Sequence, residues 1–134
     1  MKPKVRLVHL ISLFIFASCG DFPSEGYKTF PNNDWRESNG NYSVGFKNLS
    51  ASRQDYHEGR VEIRDSLNYT ILCEGSVQIN GDENSGTITY DQIYAVHGES
   101  QFCRDLNGEF EYSLIGFSQI KLCRYFTCEF FNRI

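Results

Sequence analysis

Apolar and polar residues alternate along most of the chain. Tyr42, Val44 and Phe46 alternate with polar or small residues, and Val61 and Ile63 alternate with charged residues. A period of two places successive side chains on opposite faces of a strand. Turn-forming residues separate these runs, and no run of ten or more residues beyond residue 18 has a helical period. Residues 54–58 are predicted to form a single helical turn or a loop. The pattern predicts an all-β domain of seven to nine short strands.

Two long alternating runs on either side of the loop 81–86 predict an antiparallel hairpin. One register pairs apolar with apolar residues on one face and polar with polar residues on the other, whereas a slip of one residue would mix them. Gly75 and Gln92 interrupt the alternation and indicate a bend or bulge. The predicted pairs are Ile79 with Ile88, Val77 with Tyr90, Cys73 with Tyr94, Ile71 with Val96, Asn80 with Thr87 and Gln78 with Thr89.

A second hairpin is predicted around Gly116, and the run 126–131 can add a closing strand. Strands of this number and length are typical of a small antiparallel β-barrel or a sandwich, and eight of them fit the length of the chain. Both architectures remain open. The residues predicted to share one face of the second hairpin are Phe110, Tyr112, Leu114, Ile120 and Leu122.

The amino terminus has the layout of a secretory signal peptide. Lys2, Lys4 and Arg6 precede a mostly apolar run over 8–16, and small residues follow at 17–20. The apolar run is shorter than the roughly 20 residues that span a bilayer. We therefore predict export, with residues 1–18 as the signal peptide, 19–34 as a tether and 35–134 as a single β domain.

The residues Phe16-Ala17-Ser18-Cys19 resemble the lipobox of bacterial lipoproteins, although that family more often has an aliphatic residue where Phe16 stands. The resemblance implies that the Cys19 thiol receives a diacylglycerol, that the signal is cut before it, and that the new amino group is acylated. The domain would then be held at the cell envelope by fatty acids in the membrane. Gly20 rather than an aspartate follows Cys19, which favours the outer membrane. Cleavage without lipid, giving a secreted protein, is the alternative.

The charge of the chain bears on its partners. Of 13 basic and 17 acidic residues, removal of the signal takes three basic ones, so 10 remain against 17 and the mature charge is −7. No basic run remains to contact a phosphate backbone, so nucleic acid is not an expected partner. The expected partners are the membrane, through the lipid, and an envelope protein or a small apolar ligand.

Four cysteines follow Cys19, and an even number in a short exported chain predicts two disulfides. Three connectivities are possible. Cys123 and Cys128 can face each other across a tight hairpin, which favours that pair and leaves Cys73 with Cys103. No C-x₂-C motif and no histidine at ligand spacing support zinc as an alternative, so no metal and no cofactor is predicted.

Two histidines remain after removal of the signal, His57 and His97, and each has carboxylates nearby, such as Asp55. No nucleophile elbow, H-E-x-x-H motif or phosphate-binding glycine loop accompanies them. Catalytic activity is therefore not evident. A secreted enzyme with a cleft formed from dispersed residues stays an alternative, because catalytic groups converge in space rather than along the chain.

Asn33-Asp34-Trp35 is similar to the Gly-x-Trp of the first strand in lipocalin-like small barrels, without its glycine. The resemblance implies a cavity that carries a small apolar ligand. The aromatic residues near the end of the chain either fill the core or form an exposed face for a ligand or partner; they are Tyr125, Phe126, Phe130 and Phe131. The sequence thus favours a cell-envelope lipoprotein with a binding or structural β domain, with the enzyme and the carrier as alternatives.

Overall fold

A computed structural model describes residues 33–53 and 55–134. In this part of the chain eight antiparallel strands form a closed barrel, and a short helix, α1 (Gln101–Asp105), follows the fifth strand. The all-β prediction is confirmed, and the architecture is a barrel rather than a sandwich. The predicted signal peptide, Cys19 and most of the tether lie outside the described residues. The strands are β1 (Asp34–Glu37), β2 (Tyr42–Arg53), β3 (Tyr56–Asp65), β4 (Ile71–Gly81), β5 (Ser85–Ala95), β6 (Gly108–Ile115), β7 (Gln119–Arg124) and β8 (Thr127–Arg133).

The barrel closes through its shortest strand. Each strand pairs with the next in the chain, and β1 pairs with both β2 and β8. Trp35 lies opposite Val44 on one side and Arg133 on the other. Closure pairs the two outermost strands and so removes the free edges that an open sheet would present to other chains.

The alternation along the strands sorts side chains between the barrel interior and its outer surface. On β3, Val61 and Ile63 are completely buried, while the residues between and beside them are partly exposed. The same period places Ile88 and Tyr90 of β5 inside. Because every strand contributes one apolar face, the interior of the barrel is the hydrophobic core of the domain.

The predicted hairpin registers hold over most of their length. In the β4–β5 hairpin Ile79 lies opposite Ile88 and Asn80 opposite Thr87. In the β6–β7 hairpin Tyr112 lies opposite Leu122, and Leu114 lies opposite Ile120. The run at the carboxyl end forms β8, the closing strand that the pattern allowed.

A bulge at Gly75 changes the register in the last part of the β4–β5 hairpin. Gln92 and Ile93 of β5 together face Gly75 of β4. A Cβ atom at Gly75 would lie 2.6 Å from Cδ1 of Ile93 and 2.8 Å from the carbonyl oxygen of Gln92. Gln92 itself adopts a positive φ of 54°. The bulge therefore requires glycine, since any side chain would clash with the bulged strand.

The predicted pairing beyond the bulge is wrong by one residue. Cys73 lies opposite Ala95, whereas the unbulged register placed it opposite Tyr94. The extra residue reverses the alternation, so Ile93 turns into the core and Tyr94 turns outward.

The prediction of a helical turn or a loop for residues 54–58 is wrong over the last three of them. Tyr56, His57 and Glu58 belong to β3, and His57 pairs with Ile79 of β4. Pairing with β2 and β4 on both sides determines the strand conformation there, which a local pattern does not show.

Two disulfides cross-link the barrel. Cys123 and Cys128 lie directly opposite each other on β7 and β8. Cys73 of β4 is joined to Cys103 of α1, and both are buried. A five-residue helix is too short to be stable alone, so we infer that this disulfide holds α1 on the barrel. The pairing is the one that the hairpin argument favoured.

Removal of the Cys73–Cys103 disulfide is expected to destabilise the domain more than removal of Cys123–Cys128. The bonded cysteines are 30 residues apart in the first pair and 5 residues apart in the second. By restricting the unfolded chain, the first bond contributes about 3–4 kcal/mol to the free energy of unfolding and the second about 2 kcal/mol. Urea unfolding of the double variants Cys73→Ala/Cys103→Ala and Cys123→Ala/Cys128→Ala measures both losses. A larger loss for the second pair would contradict this prediction.

Candidate ligand cavity

A cavity of about 300 Å³ opens at one end of the barrel. The connections β1–β2, β3–β4, β5–β6 and β7–β8 lie at this end, which we call the α1 end. The volume lies at the lower limit of the range of about 300–1,000 Å³ in which small-molecule sites fall. The lining residues come from five strands, from α1 and from two connections: Tyr42, Val44, Tyr90, Phe102, Asp105, Leu106, Phe110, Leu122, Arg124, Tyr125, Thr127, Glu129 and Phe131.

The barrel below the cavity is packed. Trp35, Phe46, Ile88 and Ile120 are buried there, each contributed by a different strand. The space between them measures about 10 Å³, no more than room for one water molecule. The two halves of the interior therefore differ: large side chains fill one half, and the half beneath α1 stays open.

Aromatic rings form much of the cavity wall. The ring of Tyr42 makes edge-to-face contacts with Phe102 of α1 and Phe131 of β8, at centroid distances of 5.1 and 5.6 Å. Tyr90 and Phe110 lie 5.5 Å apart on neighbouring strands. Such pairs add to the stability that area burial alone provides. The rings also present flat apolar surfaces to the cavity.

Tyr42 and Glu129 form a polar pair inside this aromatic wall. The Tyr42 hydroxyl donates a hydrogen bond of 2.6 Å to Oε2 of Glu129. Burial raises the pKa of Tyr42, and the carboxylate of Glu129 raises it further because it favours the protonated hydroxyl. No ion pair found within the described residues involves Glu129. Glu129 is an exposed residue of β8, so water and the Tyr42 hydroxyl, rather than a cation of the protein, solvate its carboxylate.

Tyr90 contributes a second hydroxyl, and this one is buried without a hydrogen-bond partner among the described residues. Burial raises the pKa of Tyr90, and the Glu129 carboxylate raises it further. A buried hydroxyl without a partner costs about 1–3 kcal/mol relative to one that is satisfied. A phenylalanine at this position would avoid that cost, so the hydroxyl calls for a functional explanation.

Arg124 lies at the mouth with its guanidinium engaged by the protein. Nη1 donates to the carbonyl oxygen of Asn107 at 3.0 Å, and Nη2 donates to that of Asp105 at 2.6 Å. The same guanidinium lies over the ring of Phe110, 4.3 Å from the centroid. These contacts tie the segment after α1 to β7 and shape the rim of the cavity.

The β7–β8 turn places an aromatic side chain at the mouth. Tyr125 and Phe126 have φ values of 51° and 66°. Positive φ at both central residues is required by a two-residue hairpin turn of type I′. This conformation costs residues other than glycine roughly 1–2 kcal/mol each. The Cys123–Cys128 disulfide lies at the base of the turn. Tyr125 lines the cavity although it is 85% exposed.

The four aromatic residues at the end of the chain divide between the two roles that the sequence allowed. Phe131 is buried and lines the cavity, whereas Tyr125 lines it from the exposed rim. Phe126 is fully exposed, and Phe130 is partly exposed on the outer surface of β8. Only part of this set therefore faces the cavity.

The structure does not bring the two histidines together. His57 lies near the start of β3, at the end opposite the cavity, while His97 is exposed on the connection that leads to α1. Burial lowers the pKa of His57. Neither histidine lines the cavity. Within residues 33–53 and 55–134, no group of three His, Cys, Asp or Glu side chains is placed to hold a metal ion.

The residues that give the cavity its polar character were not singled out from the sequence. Tyr42 and Glu129 are 87 positions apart, and only closure of the barrel brings their strands together. One local signal was available. Glu129 occupies an inward position two residues before Phe131, where the alternation predicts an apolar residue.

Comparison of the chain with protein-family models, with curated proteins and with solved structures finds no match. No helix in the described chain is both long enough and apolar enough to cross a membrane.

Replacement of Tyr90 by phenylalanine is expected to raise the free energy of unfolding by about 1 kcal/mol, because the variant no longer buries an unpaired hydroxyl. Tyr42→Phe is the matched control. It loses the hydrogen bond to Glu129 and is expected to lower the free energy of unfolding by about 1–2 kcal/mol. Urea unfolding at pH 7 measures both. Equal destabilisation by the two substitutions would show that the Tyr90 hydroxyl has a partner.

Proposed function

We propose that this chain is a cell-envelope lipoprotein whose barrel binds a small, mostly apolar ligand at the α1 end. The observation that carries the binding role is the cavity of about 300 Å³ with aromatic walls, lined by Tyr90, whose buried hydroxyl has no partner among the described residues. Ligand sites are typically concave and mostly apolar, with a few polar groups that fix the orientation of the ligand. Tyr42, Tyr90 and Glu129 are these polar groups.

The anchoring role rests on the signal-like residues 1–18 and on the lipobox-like residues that end at Cys19. Two or more acyl chains on Cys19 would hold the protein at the envelope stably, because each buried CH₂ contributes about 0.8 kcal/mol. The outer membrane is the membrane that Gly20 favours. In this proposal the lipid determines where the protein is, and the barrel determines what it binds.

The point at which the tether joins the barrel suits this arrangement. β1 begins at Asp34, at the end opposite the cavity mouth. The 14 residues from Gly20 to Asn33 reach at most about 50 Å. A tilted strand of 11 residues such as β4 gives the barrel a height of about 28 Å. The attachment therefore lies away from the mouth and does not cover it, and a tether longer than the barrel lets the mouth face the aqueous space.

An apolar fluorescent probe is expected to bind in the cavity. N-phenyl-1-naphthylamine should show saturable binding to the purified domain, with a rise in fluorescence as water is excluded. Thr127→Trp places a large side chain at the mouth and should reduce probe affinity at least tenfold. Thr89→Trp, on the outer face of β5, is the matched control and should leave it unchanged. Equal affinities of the two variants, or no saturable binding to the wild type, would contradict a ligand cavity.

The lipid anchor has a separate test. Metabolic labelling of the full chain with a fatty acid in a bacterial host should label the wild type, and Cys19→Ala should abolish the label because the acceptor thiol is lost. Ser18→Ala, which keeps a small residue before Cys19, is the control and should stay labelled. Equal labelling of wild type and Cys19→Ala would remove the anchor from the proposal without affecting the cavity.

A further inference from the structure

The charges around the cavity indicate which polar group a ligand would carry. Glu129 and Asp105 contribute two carboxylates to the lining, and Arg124 contributes one cation. Two N–H groups of Arg124 are already bonded to backbone carbonyls. Glu129, in contrast, accepts a hydrogen bond from Tyr42 and forms no ion pair in the described part of the chain. The lining therefore has a net negative charge, and neither of its two carboxylates is in an ion pair within the described residues. Asp105 accepts a hydrogen bond from Gln101 of α1, whereas Glu129 accepts its hydrogen bond from an aromatic residue of the cavity wall.

Aromatic rings line the cavity together with Glu129, and the Tyr42 hydroxyl is bonded to its carboxylate. Tyr42 contacts Phe102 and Phe131, and Tyr90 contacts Phe110, all within the cavity wall. A cation is attracted to the faces of such rings, and the attraction increases when water is excluded. A carboxylate among aromatic faces favours an organic cation over a neutral or anionic group.

The Tyr90 hydroxyl limits which cation fits. Tyr90 and Glu129 line the same cavity, and the Tyr90 hydroxyl is buried without a partner among the described residues. A nitrogen that carries hydrogens can donate to the carboxylate and to the Tyr90 oxygen at once. A quaternary ammonium has no N–H and would leave this hydroxyl unpaired.

We propose that the cavity binds a primary amine in its ammonium form, attached to a flat apolar body. This inference rests on the proposed binding function and names its ligand class. The ammonium group donates to Glu129 and to the Tyr90 hydroxyl. The apolar body lies among the rings of Tyr42, Phe102 and Phe110.

Isothermal titration calorimetry of the purified domain, with ligands that share a naphthalene ring and differ in their polar group, tests the proposal. The probes are 1-naphthylmethylamine, its trimethylammonium analogue, 1-naphthalenemethanol and 1-naphthylacetate. The primary amine is expected to bind at least tenfold more tightly than the alcohol, because its hydrogen bonds are charge-assisted. The carboxylate should bind most weakly, since it faces Glu129.

Two variants assign the preference to named residues. Glu129→Gln keeps the size of the side chain and should reduce affinity for the primary amine about tenfold while leaving the alcohol unchanged. Glu109→Gln, on the outer face of β6, is its control and should change neither. Tyr90→Phe should weaken binding of the primary amine about tenfold and leave the trimethylammonium analogue unchanged.

The outcomes separate the ligand class from the binding function. Equal affinities for the amine and the alcohol, or equal effects of Glu129→Gln and Glu109→Gln, would overturn the amine proposal. Saturable binding of N-phenyl-1-naphthylamine without binding of 1-naphthylmethylamine would also overturn the amine proposal. The proposed binding function of the cavity would then remain supported. Failure of every probe, including N-phenyl-1-naphthylamine, to bind the folded domain would overturn both.

Discussion

The four-residue strand β1 pairs with β2 on one side and β8 on the other, and this closure directs one face of every strand into a shared interior. In an open sheet those faces would need a second layer to cover them. In the barrel they cover one another, so the choice of side chain at each inward position determines how full the interior is. The core and the cavity both follow from this closure.

The interior is used in two ways along the barrel axis. Around Trp35 and Ile88 large apolar side chains fill it, and this half provides burial energy. Beneath α1 the inward positions carry tyrosines and Glu129, and a cavity remains. A polar group without a partner and an unfilled volume both reduce stability. Proteins commonly accept such costs at binding sites, where a fully packed and satisfied interior would leave nothing for a ligand to contact.

Two disulfides stabilise the half of the barrel that contains the cavity. The Cys73–Cys103 bond joins α1 to β4, and the Cys123–Cys128 bond joins β7 to β8 beside the turn that carries Tyr125. Both bonds lie at the α1 end of the barrel. A small domain with an incompletely filled core gains from disulfides because they restrict the unfolded chain rather than add packing.

The alternation of side chains determined the strands and most of the hairpin pairing, because both depend on neighbours in sequence or across one turn. The even number of cysteines indicated two disulfides, because this inference needs only a count of residues in the sequence. The bulge at Gly75 shifted the predicted partner of Cys73 by one residue, since a two-against-one pairing depends on contacts with Ile93. The position and the lining of the cavity were decided by tertiary structure alone. Tyr42, Tyr90 and Glu129 lie on three separate strands, and no local pattern shows that closure turns them toward one space that their side chains do not fill.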